Sequence, residues 1–579
     1  MPVENISIVE VRQGPVGPAG TNGTNGSDAT VTAASTLTAM GNFTTAQELT
    51  SRESIGISSA APTATVAEPA TVTFTRVKLE REINPIPAEF IVFDSKFETS
   101  AGLTVGTGST LTVGAGLAVA KNGVNATFNH ATRNKLLAPC VAVEITVDPS
   151  GASGATQFIA CGITDRSGAV ASNYIAGFWN KATGTVGLDV MKAGVQTATV
   201  GSAFTTSVTF KLLTVIYGNN VAIFVDTGFG WRFIHLFREA LATPWNLVTG
   251  WDSNDFAPVC YGLATTGSFV VSRWRTGYAG HVGLQSLCYA KFEDGTPILD
   301  EQGNYFMHAM ANMPYDVGSN SSWKHTHGMM FRVDPTTYKA TPCAQFFPYR
   351  SGEFRLDDGF GNIIFDRSTG RWNWLAQNAS QLGVVNAAIL DYYSTQNLLS
   401  GCHVLTDFHE VVVPGNKPRW DADAIKIGST WYVGYTSRTA DLTAGTFFPA
   451  LASGTALDGA FTAVGSDATQ TSAEGVHFTK IGGDYYLLSS NDSGLLVYDF
   501  TMTLIDTIVP TGFVTGGAPH PHFNLIPLKA GNKTKFIIET FNKTLGLGGG
   551  AGTYGDREIY ESALFDGGEF GFDSIAPRP

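Results

Sequence analysis

The sequence has little charge, no paired cysteines and no long apolar runs, and each shortage argues against a class of protein. Charged residues make up only 15% of the 579 positions, and the formal net charge is −13. No basic stripe is present to neutralise phosphates, so nucleic acid is not an expected partner. No stretch reaches the roughly 18 uninterrupted apolar residues of a membrane span, and no charged-then-apolar leader opens the chain. Neither membrane insertion nor classical export is therefore expected. The six cysteines (Cys140, Cys161, Cys260, Cys288, Cys343 and Cys402) include no Cys-x-x-Cys pair. They read as reduced, buried small hydrophobes, not as a zinc site or a disulfide framework, which fits synthesis in a reducing cytoplasm. Leu/Glu/Lys-rich amphipathic runs are nearly absent, so long helices are not expected either.

What is present is glycine (65 residues), many Phe and Tyr, and a 43% hydrophobic content, a composition that favours short strands joined by tight turns. The length suggests roughly three or four domains. Near the amino terminus Gly14, Gly17, Gly20, Gly23 and Gly26 head five consecutive triplets. Only glycine fits the axis where three polyproline-II chains meet, so residues 14–28 imply a collagen-like run and a homotrimer. Fifteen residues are too few to hold a triple helix alone, so other parts of the trimer must help. Residues 1–13 alternate polar and β-branched side chains and form one candidate strand in need of a partner. Residues 29–85 read as a stalk or linker, with a short helical candidate at 44–56 and a β-rich strip at 70–77.

This order resembles the amino-terminal regions of bacteriophage tail fibres and tailspikes. The resemblance covers roughly the first eighty residues. It implies that residues 1–13 attach to baseplate or tail proteins, and that the product is made in the host cytoplasm and works in the virion tail.

From 86 to 280 β-rich runs recur about every ten residues, as at 90–94, 141–147, 157–163, 174–179, 212–217 and 221–226. Gly218-Asn219 between the last two is a hairpin signal. The spacing predicts an antiparallel sandwich, and it resembles the concanavalin A/laminin-G-like sandwiches that accompany carbohydrate-active domains. Trp179, Trp231, Trp245, Trp251 and Trp274 are candidates for stacking on sugars where exposed, though core positions are the commoner fate of tryptophan.

In 281–579 five segments share an apolar strand, a tight turn with glycine and an aromatic-rich strand: 297–307, 363–374, 424–433, 477–487 and 525–537. Their turn glycines, Gly303, Gly370, Gly428, Gly483 and Gly531, recur roughly every fifty to seventy residues, which predicts a five-bladed β-propeller. The fold expectation is thus mainly β. Residues just before each innermost strand converge on one funnel, and three segments carry an acid there: Asp294, Asp421 and Glu474. Carboxylates sharing a cup repel, so their pKa values separate and can supply an acid and a base.

Glu474-Gly475-Val476-His477 with Gly483-Asp484-Tyr485-Tyr486-Leu487, Trp420-Asp421-Ala422-Asp423 and Asp294-Gly295-Thr296-Pro297 resemble the acid-bearing strands of glycoside hydrolase family 43 propellers. The resemblance implies Glu474 as general acid, Asp421 as its tuner and Asp294 as general base. It also implies a channel histidine, His522, that helps hold a metal or water. His522, His477, Trp420 and Trp431 are the substrate-binding candidates. Neither aspartate is followed by the family's usual proline, and Val476 replaces the proline of the Glu motif. No cofactor is required, with Ca2+ in the channel as the one ion considered. Lys324-His325-Thr326-His327 reads as a surface loop before a metal site, and Asp357-Asp358-Gly359 as a turn before a cation loop.

The expected function is that of a phage tail fibre or tailspike that binds a host surface polysaccharide and hydrolyses its glycosidic bonds. Two alternatives stand beside it: a receptor-binding fibre that does not cut, and a bacterial glycosidase unrelated to a virion.

Overall fold

The computed structural model describes residues 73–80, 83–119, 127–131, 136–314, 326–378, 387–438, 446–513, 522–542 and 556–566, apart from isolated positions within them. The attachment peptide (1–13), the collagen-like run (14–28) and most of the stalk, including the helical candidate, lie outside the described residues. Among the described residues the strands form seven sheets, and the one α-helix, Leu247–Gly250, is four residues long.

Two sheets, of seven and eight strands, make a sandwich. Strand alternation sends Ile159, Cys161 and Ile163 of one sheet against Val143, Ile145 and Leu212 of the other in a shared core. The Gly218-Asn219 signal forms the hairpin it predicts: Tyr217 pairs with Asn220, and Gly218 takes φ +56°. Four of the five tryptophans are core. Trp179, Trp251 and Trp274 are fully buried and Trp245 nearly so, while Trp231 is half-buried beside the Lys211 ammonium. The six cysteines are all free thiols, and four are buried; burial pushes Cys161 up to about 12, which leaves it an inert thiol.

The other five sheets follow one another along the chain as propeller blades. Their inner strands are Gly283–Tyr289 (blade I), Ile363–Asp366 (II), Trp420–Ile427 (III), Glu474–Ile481 (IV) and Asn524–Ala530 (V). Four of the five sequence hairpins are the inner hairpins of blades II to V. The first is not. Blade I begins at Gly283–Tyr289, whose partner Tyr305–Asn312 lies across a long connector, so no tight glycine turn advertises the pair. Within that connector Lys291–Phe292 joins blade II in parallel with Ile363–Asp366, and the segment around Ile298 makes only isolated bridges.

Blade V is completed from the other end of the chain. Its outermost strand is Phe74–Glu80, antiparallel to Asp556–Ser562 with Phe74 opposite Ser562. Residues assigned to the stalk by composition therefore belong to the propeller, and the sandwich sits between the outer strand of blade V and the inner strand of blade I. Phe74–Glu80 covers the edge of Asp556–Ser562 and ties a strand from early in the chain to the last blade. Gln345 Nε2 donates to Ala279 O at 2.6 Å and Tyr217 Oη to Pro314 O at 2.5 Å, so sandwich and propeller share one buried seam.

Two stability predictions follow from these contacts. Phe74 is 3% exposed among Leu488, Leu525 and Tyr560, so Phe74→Ala is expected to lower stability by about 3–5 kcal/mol in urea unfolding; an unchanged midpoint would detach this strand from the fold. Asp391 is fully buried, and burial, only partly offset by Arg371, pushes its carboxyl up to about 8. The folded state then holds a proton that the unfolded chain releases above roughly pH 4, so stability falls as pH rises from there through about 8. Asp391→Asn is expected to flatten that slope in melts taken between pH 5 and pH 9.

Candidate functional site

Three inner strands carry the same irregularity. In blade I the step from Gln285 to Cys288 faces Met310 to His308; in blade III Trp420 to Asp423 faces Thr436 to Gly434; in blade IV Glu474 to His477 faces Ser490 to Leu488. Each is a β-bulge, one extra residue that twists the strand and re-aims its side chains. The residue heading each bulge has positive φ: Ser286 at +51°, Asp421 at +49° and Gly475 at +70°. Ser286, Asp421 and Gly475 are therefore structural counterparts, and so are Gln285, Trp420 and Glu474. Non-glycine residues held at positive φ are strained, and such strain concentrates at functional sites.

The bulges of blades III and IV bring Asp421 and Glu474 together with His522, which precedes the inner strand of blade V. One ligating atom from each lies within 4.8 Å of the others. His522 Nε2 is 3.5 Å from Asp421 Oδ2 and 3.7 Å from Glu474 Oε1. The Trp420 indole donates to Glu474 Oε2 at 3.0 Å, the Gly475 N–H donates to Asp421 Oδ2 at 3.2 Å, and the Asp421 N–H donates to Gln377 Oε1 at 2.9 Å. Asp421 and His522 are buried, whereas the Glu474 side chain is 17% exposed and is the member of the trio most open to solvent. Half-buried Trp420, 5.9 Å from the Phe447 ring, adds an aromatic edge beside the carboxylates. Gly475 has two reasons to be glycine: its φ, and a Cβ that would stand 2.8 Å from His522 Cγ.

One layer deeper, the channel is floored by buried polar groups. The Lys291 ammonium pairs with Asp423, which also accepts from Phe478 N–H at 2.6 Å and Ala424 N–H at 2.7 Å. Burial pushes Asp423 up against the opposing pull of Lys291, and pushes Lys291 down against the pull of Asp423. His477 lies in this layer: its Nδ1 meets Asn362 Nδ2 at 3.0 Å, and its Nε2 has no hydrogen-bond partner. Burial, then the neighbouring His522 and Lys291, hold His477 well below the usual imidazole value. In blade V, Phe523 and Leu525 enter the blade core, which leaves fully buried Asn524 on the opposite face with neither amide atom bonded.

Other sequence candidates lie elsewhere. Asp294 sits in the turn after Lys291–Phe292, where it accepts from Thr296 N–H at 3.0 Å, pairs with Arg367 at 2.9 Å and lies 3.9 Å from Lys480 Nζ. Lys480 is separated from Glu474 by five steps of the partner strand, about 17 Å at ~3.3 Å per residue, so Asp294 lies toward the other end of the inner strand from the trio. Partial burial raises its pKa, but the Thr296 N–H and the Arg367 guanidinium outweigh that and hold it below the ordinary range. The expectation of a base at Asp294 came from taking the segment near Ile298 as an inner strand. Trp431 is 3% exposed in the core between blades II and III, so it is a packing residue. His327 is buried against Phe347 and bonded to Gln345, and Asp358 is engaged by Arg350 and Tyr392; neither belongs to a metal group among the described residues. Two carboxylate oxygens and one imidazole nitrogen suit a transition ion such as Zn2+, while Ca2+, which takes six to eight oxygens, finds only two side-chain carboxylates in the trio.

No family model matches the chain, and no curated protein matches it. Solved structures do. A levansucrase variant from Bacillus subtilis is 10% identical, covers 50% of this chain and 88% of its own, with a TM-score of 0.33. A carbohydrate-binding module from Bacillus subtilis is 14% identical, covers 30% of this chain and 95% of its own, with a TM-score of 0.23. The Emp47p carbohydrate recognition domain is 12% identical, covers 34% of this chain and 99% of its own, with a TM-score of 0.26.

Gly475→Ala is expected to push His522 off the two carboxylates and to destabilise the chain by about 1–3 kcal/mol. Urea unfolding, with the His522 ring resonances followed by NMR, checks this; an unmoved His522 would contradict the packing described.

Proposed function

We propose that the chain attaches to a host surface glycan at the mouth of the propeller channel, as the receptor-binding part of a bacteriophage tail fibre or tailspike. The observation that carries the glycan reading is the meeting of Asp421, Glu474 and His522 beside the half-buried Trp420 ring. Carboxylates and imidazole take the hydroxyls of a sugar, and an aromatic edge takes its C–H face. The virion reading rests on the sequence. The glycine triplets of residues 14–28 make the chain a homotrimer, and residues 1–13 dock on baseplate or tail proteins, so the protein works in the virion tail. A bound ion is not required for attachment, and the trio suits Zn2+ better than Ca2+.

Attachment without cleavage is favoured over hydrolysis because Asp294, the expected base, is tied to Arg367 at the far end of the channel. Its place in the bulge repeat is taken by Ser286. Hydrolysis is the second reading, favoured by the closeness of Asp421 and Glu474. A retaining pair stands ~5 Å apart, and Glu474 has the solvent access an acid needs.

Adsorption of the fluorescently labelled protein to capsule- or lipopolysaccharide-bearing cells, assayed together with reducing-end release, separates these readings. The expected result is adsorption by the unaltered protein, no release, and at least tenfold weaker adsorption for Asp421→Asn and Glu474→Gln. Release by the unaltered protein that Glu474→Gln abolishes, with adsorption kept, establishes the hydrolase instead. Absence of adsorption to any such surface defeats the glycan reading, and a monomeric mass in solution defeats the fibre reading.

A further inference from the structure

Where blade V meets blade I the surface opens into a groove of about 930 Å³. Blade V contributes Val77, Leu528, Lys535 and Leu564, and blade I contributes Leu299 from its connector and Tyr338 from the turn after Val333. Leu528 and Tyr338 are buried in the floor, whereas Val77, Leu299 and Leu564 on the rim are 40%, 42% and 51% exposed. The floor is held from several sides. Tyr338 takes φ +57°, its carbonyl accepts from Lys78 Nζ at 3.1 Å and from Arg557 Nη1 at 2.8 Å, and its hydroxyl donates to Glu561. Of the two lysines in the lining, Lys535 pairs with Glu561 and stands 5.0 Å from the Tyr338 ring, and Lys529 donates to Thr534 Oγ1 at 3.3 Å. What remains to be covered is the rim, and the rim is apolar. Exposed apolar clusters of this kind mark contact surfaces with other protein.

The register of blade V puts the groove where the chain enters the propeller. Its inner strand runs from Asn524, beside His522, away from the trio to Ala530, and the next two strands run back and away again. Phe74 pairs with Ser562 and Glu80 with Arg557, so the entering strand starts on the side away from the trio. Three residues after Phe74 it reaches Val77 on the groove rim. The fifteen residues of glycine triplets that precede it are too few to hold three chains together alone. A trimer therefore needs a contact between copies elsewhere. Rotation about a three-fold axis sets the same part of each copy against its neighbour, so one apolar rim can serve all three.

We infer that the rim of Val77, Leu299 and Leu564 is that contact, each copy burying it against a second copy of this chain beside the entering strand. This rests on the homotrimer reading above. It leaves the trio, at the other end of the inner strand of blade V, open to a ligand.

Sedimentation of the full chain over a dilution series, with native mass spectrometry, tests this. The unaltered chain is expected to be a trimer, and Leu299→Asp and Leu564→Asp to need at least tenfold higher concentration to assemble. Phe229→Asp, at a sandwich position that is 97% exposed, is the control and is expected to change nothing. Hydrogen exchange of the unaltered chain needs no variant: amides of 299–303 and 562–564 are expected to exchange more slowly in the trimer than after dilution to monomer. A trimer that the two groove variants leave equally tight, equal exchange in both states, or equal weakening by Phe229→Asp overturns the inference and leaves the homotrimer reading standing. A monomer at every concentration overturns both.

Discussion

The site depends on one extra residue in each of three strands. A regular inner strand would present alternate side chains to the two neighbouring blades and nothing to the mouth. The bulge breaks that alternation at the rim, and the positive φ of Asp421 and Gly475 turns the chain so that Asp421 and Glu474 face His522. Strain at Asp421 is held by hydrogen bonds on both sides, from its own N–H to Gln377 and from Gly475 N–H to its carboxylate. The surrounding blades supply the rigidity that keeps such a conformation populated.

Beneath the mouth, buried charge does a different task. Lys291 and Asp423 are removed from water almost completely, and such a pair gives little net stability compared with apolar packing. Its value here is positional. Asp423 grips the backbone of blade IV at Phe478 while Lys291 reaches it from the connector between the first two strands of blade I, and Lys291 also donates to Phe478 O at 3.2 Å. Three parts of the ring are fixed relative to one another just below the trio, so the distances among Asp421, Glu474 and His522 are set by the fold and not by their own contacts.

Much of this was legible in the sequence. Hairpins with glycine turns mark blades II to V; of the three acids expected to converge, Asp421 and Glu474 meet and Asp294 does not, and their third partner is His522, which only the family resemblance pointed to. Blade I is not legible in the same way because its inner strand, Gly283–Tyr289, has no tight turn to its partner, and the regular spacing points instead to the connector and to Asp294. The β-rich strip at 70–77 does form a strand, Phe74–Glu80, but its place in the propeller is not legible locally, because its partner is Asp556–Ser562, far along the chain. Trp431 illustrates the third limit. A tryptophan on the strand next to an acid looks like a sugar platform, but alternation within the blade sends it into the core. Ser286 and Gln285 were missed because nothing in the sequence marks a bulge; only the paired register does.

A crystal structure of the chain with a bound oligosaccharide measures the central claim most directly. The account predicts a terminal sugar at the channel mouth, with hydroxyls within hydrogen-bond distance of Asp421, Glu474 and His522 and a ring face against Trp420. A saccharide bound only to the sandwich, or at the Asp294 end of the channel with the mouth trio untouched, would contradict it.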